Sequence, residues 1–187
     1  STTLDLYASY HNGICAGDIL RFSRSFTEIP VSNERWNFIQ TSTNTSKEYS
    51  GLTSIFLWDE NDGDYRRFVE ERLGKDKVHS WIRGYEQVGN RGVLISATGD
   101  LKASLYAGVL FDENTVLLRA GDADLLAILV FAISGRLNES VRSFDTSRKV
   151  RGAIVRVPFD LEHWQKVAAE KYPNGLPKPY SDDPTQW

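Results

Sequence analysis

The chain has 187 residues, 41% hydrophobic and 25% charged, with a formal net charge of −3. Five Trp, eight Tyr and nine Phe supply more apolar area than a disordered chain carries. The longest apolar run, Leu125 to Ile133, falls far short of the roughly 20 residues that a membrane-spanning helix needs, and no global cation excess draws the chain to polyanions. One cysteine, Cys15, excludes an internal disulfide, and no secretory signal opens the chain, so the setting reads as reducing and cytoplasmic, with no membrane partner. With no methionine and a Pro-rich end, the chain reads as a piece of a longer protein.

In chain order, Leu4 to Tyr10 is apolar at helical spacing, and His11-Asn12-Gly13 is its expected stop. Arg21 to Phe26 alternates polar with aromatic residues, as a strand with Phe22 and Phe26 on one face would. Pro30 to Glu34 reads as a connector and Gln40 to Ser46 as a polar loop. Thr53 to Trp58 suits a buried strand. Asp64 is placed to cap a helix over Tyr65 to Leu73 that Gly74 ends. Val93 to Ala97 reads as a strand, and Tyr106 to Phe111 with Thr115 to Leu118 as a hairpin around Asp112-Glu113-Asn114.

Asp122 then caps a helix that is apolar nearly all round, hence central, and Ser134-Gly135 stops it. A short helix is expected from Arg136 to Ser143, and a strand from Val150 to Val157. Asp160 caps a last amphipathic helix that Pro173 ends. The class is α+β, with mixed sheets, a central hydrophobic helix and a C-terminal amphipathic helix. The domain spans 1–171, and 172–187 is an extended Pro-rich tail.

Charge is unevenly spread. Asp59 to Glu71 holds six acidic residues against Arg66 and Arg67, whereas Arg136 to Arg156 holds six cations against Glu139 and Asp145. No phosphate-binding loop, dinucleotide fingerprint or nucleophile elbow is present. The three histidines (His11, His79, His163) are scattered, so no metal site is expected. Asp183-Pro184-Thr185-Gln186 lacks the second proline and the aromatic ring of an amino-methyltransferase motif. The chain reads as non-catalytic.

Tyr7 to Phe22 (YASYHNGICAGDILRF) resembles a segment of adenine-specific DNA methyltransferases of bacterial restriction-modification and phage-defence systems, where the catalytic domain hands over to the target-recognition domain. Gly13, Gly17, Asp18 and Phe22 match that family's "G-L-x-T-G-D-N-x-x-F-x-R" pattern, and Arg24 stands for its basic residue. Ala16 replaces its Thr and Ile19 its Asn. Trp36, Tyr49-Ser50-Gly51, Trp81 to Gly84 and the Tyr106 to Phe111 stretch, with Tyr106 and Gly108, resemble its later landmarks in order. Val157-Pro158-Phe159-Asp160 and Tyr172 to Trp187 resemble its closing ones. The resemblance implies a C-terminal target-recognition domain that holds double-stranded DNA. The catalytic methyltransferase domain, with S-adenosylmethionine as methyl donor, would lie elsewhere in the same polypeptide, and no cofactor is expected in this part.

A recognition module needs cations for phosphates and polar side chains for base edges. The expected DNA-binding residues are Arg21, Arg24, Arg83, Arg91, Lys102, Arg148, Lys149 and Arg151, with Gln40, Asn44 and Lys47 from the polar loop. Two other readings stand beside this one. The first is a protein-docking module that uses the acidic segment or the Pro-rich tail. The second is a small metal-dependent nuclease centred on Asp100 and Lys102.

Overall fold

The computed structural model describes residues 2–28, 34–59 and 63–179. Its elements form two four-stranded sheets, each with its own helices and its own core. The first sheet uses β1 (Ala8–Asn12), β5 (Val93–Ser96), β6 (Ala103–Leu105) and β8 (Thr115–Ala120), in the antiparallel order β1-β8-β5-β6. The second uses β2 (Ser23–Ser25), β3 (Trp36–Gln40), β4 (Ser54–Leu57) and β7 (Leu110–Phe111), in the order β2-β4-β3-β7, with β7 parallel to β3.

Sheet one is covered on both faces, which is why β5 and the start of β8 are continuous apolar runs. The two-residue period sends Val93, Ile95, Val116 and Leu118 into the main core, and Leu94 and Leu117 to a small cluster with Tyr106 and Phe111 on the other side. The main core is closed by α3 (Asp122–Ile133), α4 (Arg136–Arg142) and α5 (Leu161–Lys171), with Leu125, Ile128, Leu129 and Phe131 of α3 buried. Asp160 caps α5 by accepting from the His163 amide at 3.1 Å. Sheet two packs α1 (Ile19–Phe22) and α2 (Asp64–Leu73) around an aromatic core. Phe22, Phe56 and Tyr65 stack edge-on or tilted, with ring centroids 4.9–6.4 Å apart.

Several expectations change. Leu4 to Tyr10 is not a helix. A single 3-10 turn, Leu4–Leu6, leads into the edge strand β1, because five residues of pairing with β8 outweigh a one-turn helical spacing. Arg21 to Phe26 is not one strand either: Asp18 caps α1, and only Ser23–Ser25 pairs with β4. The expected hairpin is split, since β7 joins sheet two and β8 joins sheet one, and the Asp112–Asn114 turn between them links the two cores. Val150 to Val157 forms a 3-10 turn at Gly152–Arg156. Gly63 and Gly121, not Asp64 and Asp122, occupy the N-cap positions of α2 and α3.

The tail lies on the body as far as it is described. Tyr172 and Leu176 pack against the main core, and the Tyr49 hydroxyl donates to the Pro177 carbonyl at 2.6 Å. Most of the Pro30 to Glu34 connector, the Glu60 and Asp62 carboxylates and the Asp183 to Gln186 run lie outside the described residues.

Candidate nucleic-acid interface

The antiparallel order brings four chain segments to one end of sheet one: Asn12-Gly13 after β1, Asn114 before β8, Ala97 after β5 and Lys102 before β6. Other segments are tied onto that end by backbone groups. Arg83 Nε donates to the Gly13 carbonyl at 2.8 Å, and Arg142 donates to the carbonyls of Gly99 (2.8 Å) and Ser147 (2.6 Å). The Val150 amide bonds the Ala97 carbonyl at 2.7 Å, which anchors the Ser147 to Arg151 segment. The expected polar loop is pinned as well. Thr43 donates its amide to Ser96 Oγ at 3.1 Å, and Ser46 Oγ accepts from the Ala103 amide at 3.1 Å.

Seven of the expected residues therefore share one end of the molecule: Asn44, Lys47, Lys102 and Arg83, with Arg148, Lys149 and Arg151. Lys149 Nζ sits 3.2 Å from the Glu113 carboxylate, and Lys102 is paired loosely with Asp100 at 3.7 Å. Among the described residues, Lys47, Arg148 and Arg151 have no ion-pair partner. Burial and the neighbouring Arg151 charge both hold the Arg83 guanidinium below its ordinary pKa, as expected where cations gather. Burial pushes the Glu113 carboxyl up, but the hydrogen bond and charge of Lys149 outweigh it, so the group titrates low. Next to it, burial raises Asp112 to about 6 against the opposing Asn114 hydrogen bonds. The Cys15 thiol is raised by burial and by its contact with Glu113.

The other four expected residues lie apart. Arg91 is near the opposite end of sheet one, 3.7 Å from Asp122. Arg21 and Arg24 stand on the α1–β2 segment. Arg21 lies over the Phe22 and Phe68 rings at 4.9 and 5.5 Å, and Arg24 donates to the carbonyls of Leu20 and Ser23. Gln40 corrects the loop reading. It ends β3 fully buried, its amide donating to Ser50 and Leu105 and accepting from the Ala107 amide at 2.9 Å. Both ends of its side-chain amide are engaged inside the protein, so it braces the fold and meets no base. Arg142 was not among the expected residues; its position in the basic Arg136 to Arg156 stretch was the available signal.

The motif positions are architectural. A Cβ on Gly13 would collide with the carbonyl oxygens of Phe111 and Asp112, and one on Gly17 (φ +68°) would strike the Trp81 ring. Asp18 caps α1, Phe22 is buried, the Tyr106 hydroxyl donates to the Val109 carbonyl, and the Gly108 carbonyl accepts from the Gly89 amide at 2.9 Å.

The features behind the two other readings are placed as well. Of the acidic segment, Asp59 and Asp64 are bound by Arg35, Asp64 also by Arg67, and Glu70 by Arg66. Asp100 faces Lys102, and among the described residues no three His, Cys, Asp or Glu side chains gather as a metal would require. No helix among those residues is long and apolar enough to cross a membrane.

No family model matches the chain, and neither does any curated protein. Among solved structures, the fold is shared with the Type IIL restriction-modification enzyme MmeI, determined in complex with DNA. The match has a TM-score of 0.53 at 14% identity and covers 95% of this chain. This chain spans 30% of the length of that enzyme's chain. The α+β architecture is thus one that a restriction-modification enzyme uses.

Proposed function

We propose that this chain is the DNA sequence-recognition domain of an adenine-specific DNA methyltransferase from a restriction-modification or phage-defence system, without catalytic groups of its own. The observation that carries this reading is the gathering of Arg83, Arg148, Lys149, Arg151, Lys102 and Lys47 at one end of sheet one in a protein that is acidic overall. Four of these cations lack an ion-pair partner among the described residues; Arg83 is held by the Gly13 carbonyl, and Lys47, Arg148 and Arg151 are left able to release counterions from a phosphate backbone. Asn44 and its neighbours on the pinned loop supply amide and hydroxyl groups for base edges. A fold shared with an enzyme solved on DNA supports duplex DNA as the partner.

In this reading the methyl transfer, with S-adenosylmethionine as donor, belongs to a catalytic domain elsewhere in the polypeptide. The domain described here holds the site so that an adenine can be extruded to that neighbour. Anisotropy titration of a labelled random-sequence 30-base-pair duplex across a salt series tests the DNA contact. Weak binding that steepens as salt falls is expected, and binding indifferent to salt would contradict it. For the parent polypeptide, transfer of a labelled methyl group to adenine of duplex DNA is the test of reaction type, and label found only on cytosine would refute it.

A further inference from the structure

Arg142, the last residue of α4, spends its guanidinium on main-chain carbonyls of two segments that are distant in the chain. Nη1 donates to the carbonyls of Ser147 at 2.6 Å and Asp145 at 3.3 Å, and Nη2 donates to that of Gly99 at 2.8 Å. The helix presents this side chain from a fixed base, because Leu137 and Val141 are fully buried in the main core. A guanidinium is planar and rigid, so its donors hold two acceptor segments at a set separation, which an ammonium on a flexible stem does not.

Both segments carry cations of the cluster. Gly99 lies in the turn between β5 and β6 that leads into Lys102, and this turn is held in a costly shape. Gly99 has φ +61°, and Leu101 has φ +49°, alone among the described non-glycine residues in the left-handed region. Leu101 is kept there by burial in the main core. Strained backbone of this kind persists only where its surroundings impose it, and it gathers at binding sites. The other segment is fixed at two points, by Arg142 at the Ser147 carbonyl and by the Val150 amide on the Ala97 carbonyl, with Arg148 and Lys149 between them. Lys47 is anchored independently of Arg142, its amide donating to the Ala103 carbonyl at 3.2 Å.

We propose that Arg142 is a positioning residue of the DNA-binding end: it sets the spacing between Lys102 and Arg148 before any phosphate arrives, an inference that rests on the recognition reading. A segment that must be ordered at the moment of binding subtracts from affinity, so a spacing fixed in advance strengthens binding without adding a contact. Arg142 meets no phosphate in this scheme, since its Nη donors are directed at protein carbonyls.

The test is a thermodynamic cycle, with the full chain titrated against the labelled duplex at one low salt concentration. Arg142→Lys keeps the charge but loses the planar fork, and should bind about tenfold more weakly per folded molecule. In a Lys102→Ala/Arg148→Ala background the same substitution should cost nothing further, whereas in a Lys47→Ala background the tenfold loss should persist. Hydrogen exchange of Arg142→Lys should show faster opening at amides 98–102 and 146–150. Should Arg142→Lys not fold, Asp145→Ala takes its place. It removes the carboxylate that accepts from the Ser147 amide at 2.9 Å, and should weaken binding although it deletes a negative charge. No loss in the wild-type background, or an equal loss in the Lys102→Ala/Arg148→Ala background, overturns the positioning role while leaving DNA recognition in place. A wild-type chain that binds no duplex overturns recognition itself, and the positioning role with it.

Discussion

The two sheets divide the charge chemistry between them. Around sheet two, four arginines are spent at home: Arg35 on Asp59 and Asp64, Arg66 on Glu70, Arg67 on Asp64, and Arg24 on main-chain carbonyls, while Arg21 and Arg72 lie over aromatic rings. At one end of sheet one, Lys47, Arg148 and Arg151 remain without an ion-pair partner among the described residues, and Arg83 and Arg151 press their charges together. Equal numbers of arginines on two faces would therefore not bind DNA equally. A cation already paired releases fewer counterions, and its partner carboxylate repels the phosphate. Local pairing, more than net charge, decides which face of an acidic protein can meet nucleic acid.

The largest effect expected from breaking this comparison is on stability. Phe22→Ala, in the aromatic core of sheet two, should cost about 3–5 kcal/mol in urea unfolding. Hydrogen exchange should then show amides of β2 to β4 losing protection before those of β5 and β8. If all amides lose it together, the two cores are one cooperative unit. Gln40→Ala removes the brace between the sheets and strands buried groups of Ser50, Leu105 and Ala107, so a loss of about 2–4 kcal/mol is expected. Its DNA binding per folded molecule should be unchanged.

In DNA titrations, replacing Lys47, Arg148 and Arg151 by Ala should lower the slope of log affinity against log salt by about 0.9 for each phosphate no longer neutralised. Arg66→Ala and Arg67→Ala on α2 should leave that slope as it was. Equal effects from the two sets would erase the distinction between the sheets.

A pH series sharpens the junction between them. Asp112, with its folded pKa raised to about 6 by burial, is ionised at cost in the folded state at pH 7. Stability should therefore rise as pH falls through 6 toward its ordinary range, and Asp112→Asn should abolish that rise. Glu113 has the opposite sign: its lowered pKa contributes stability above its ordinary range, lost only as pH falls below it. Smallest of all, Arg91→Ala removes an exposed pair 3.7 Å long and should change stability by under about 0.5 kcal/mol and DNA binding negligibly.

Elements with strong local signals were legible without coordinates. The apolar α3, the Asp160-capped α5, the short buried strands β4 and β5 and the α2 stop at Gly74 all follow from patterns within one window of sequence. The misread elements are those where a long-range partner decides. β1 is a strand because β8, on the far side of most of the chain, pairs with it from Asn12↔Val116 to Ala8↔Ala120. Gln40 is buried because Leu105 and Ala107 come to meet it.

The candidate interface was legible as residue types and not as a place. Arginines at 83, 148 and 151 and the polar loop at 41–47 are far apart in the chain, and nothing local says which of them meet. The amino-acid order by itself determined the α+β class, the central helix and the uneven charge, because each depends on composition or short-range periodicity. Only the tertiary structure decided which cations stay unpaired and which face they share. Ion pairing and strand order are set by contacts between distant segments, and a one-dimensional pattern does not encode who the neighbour will be.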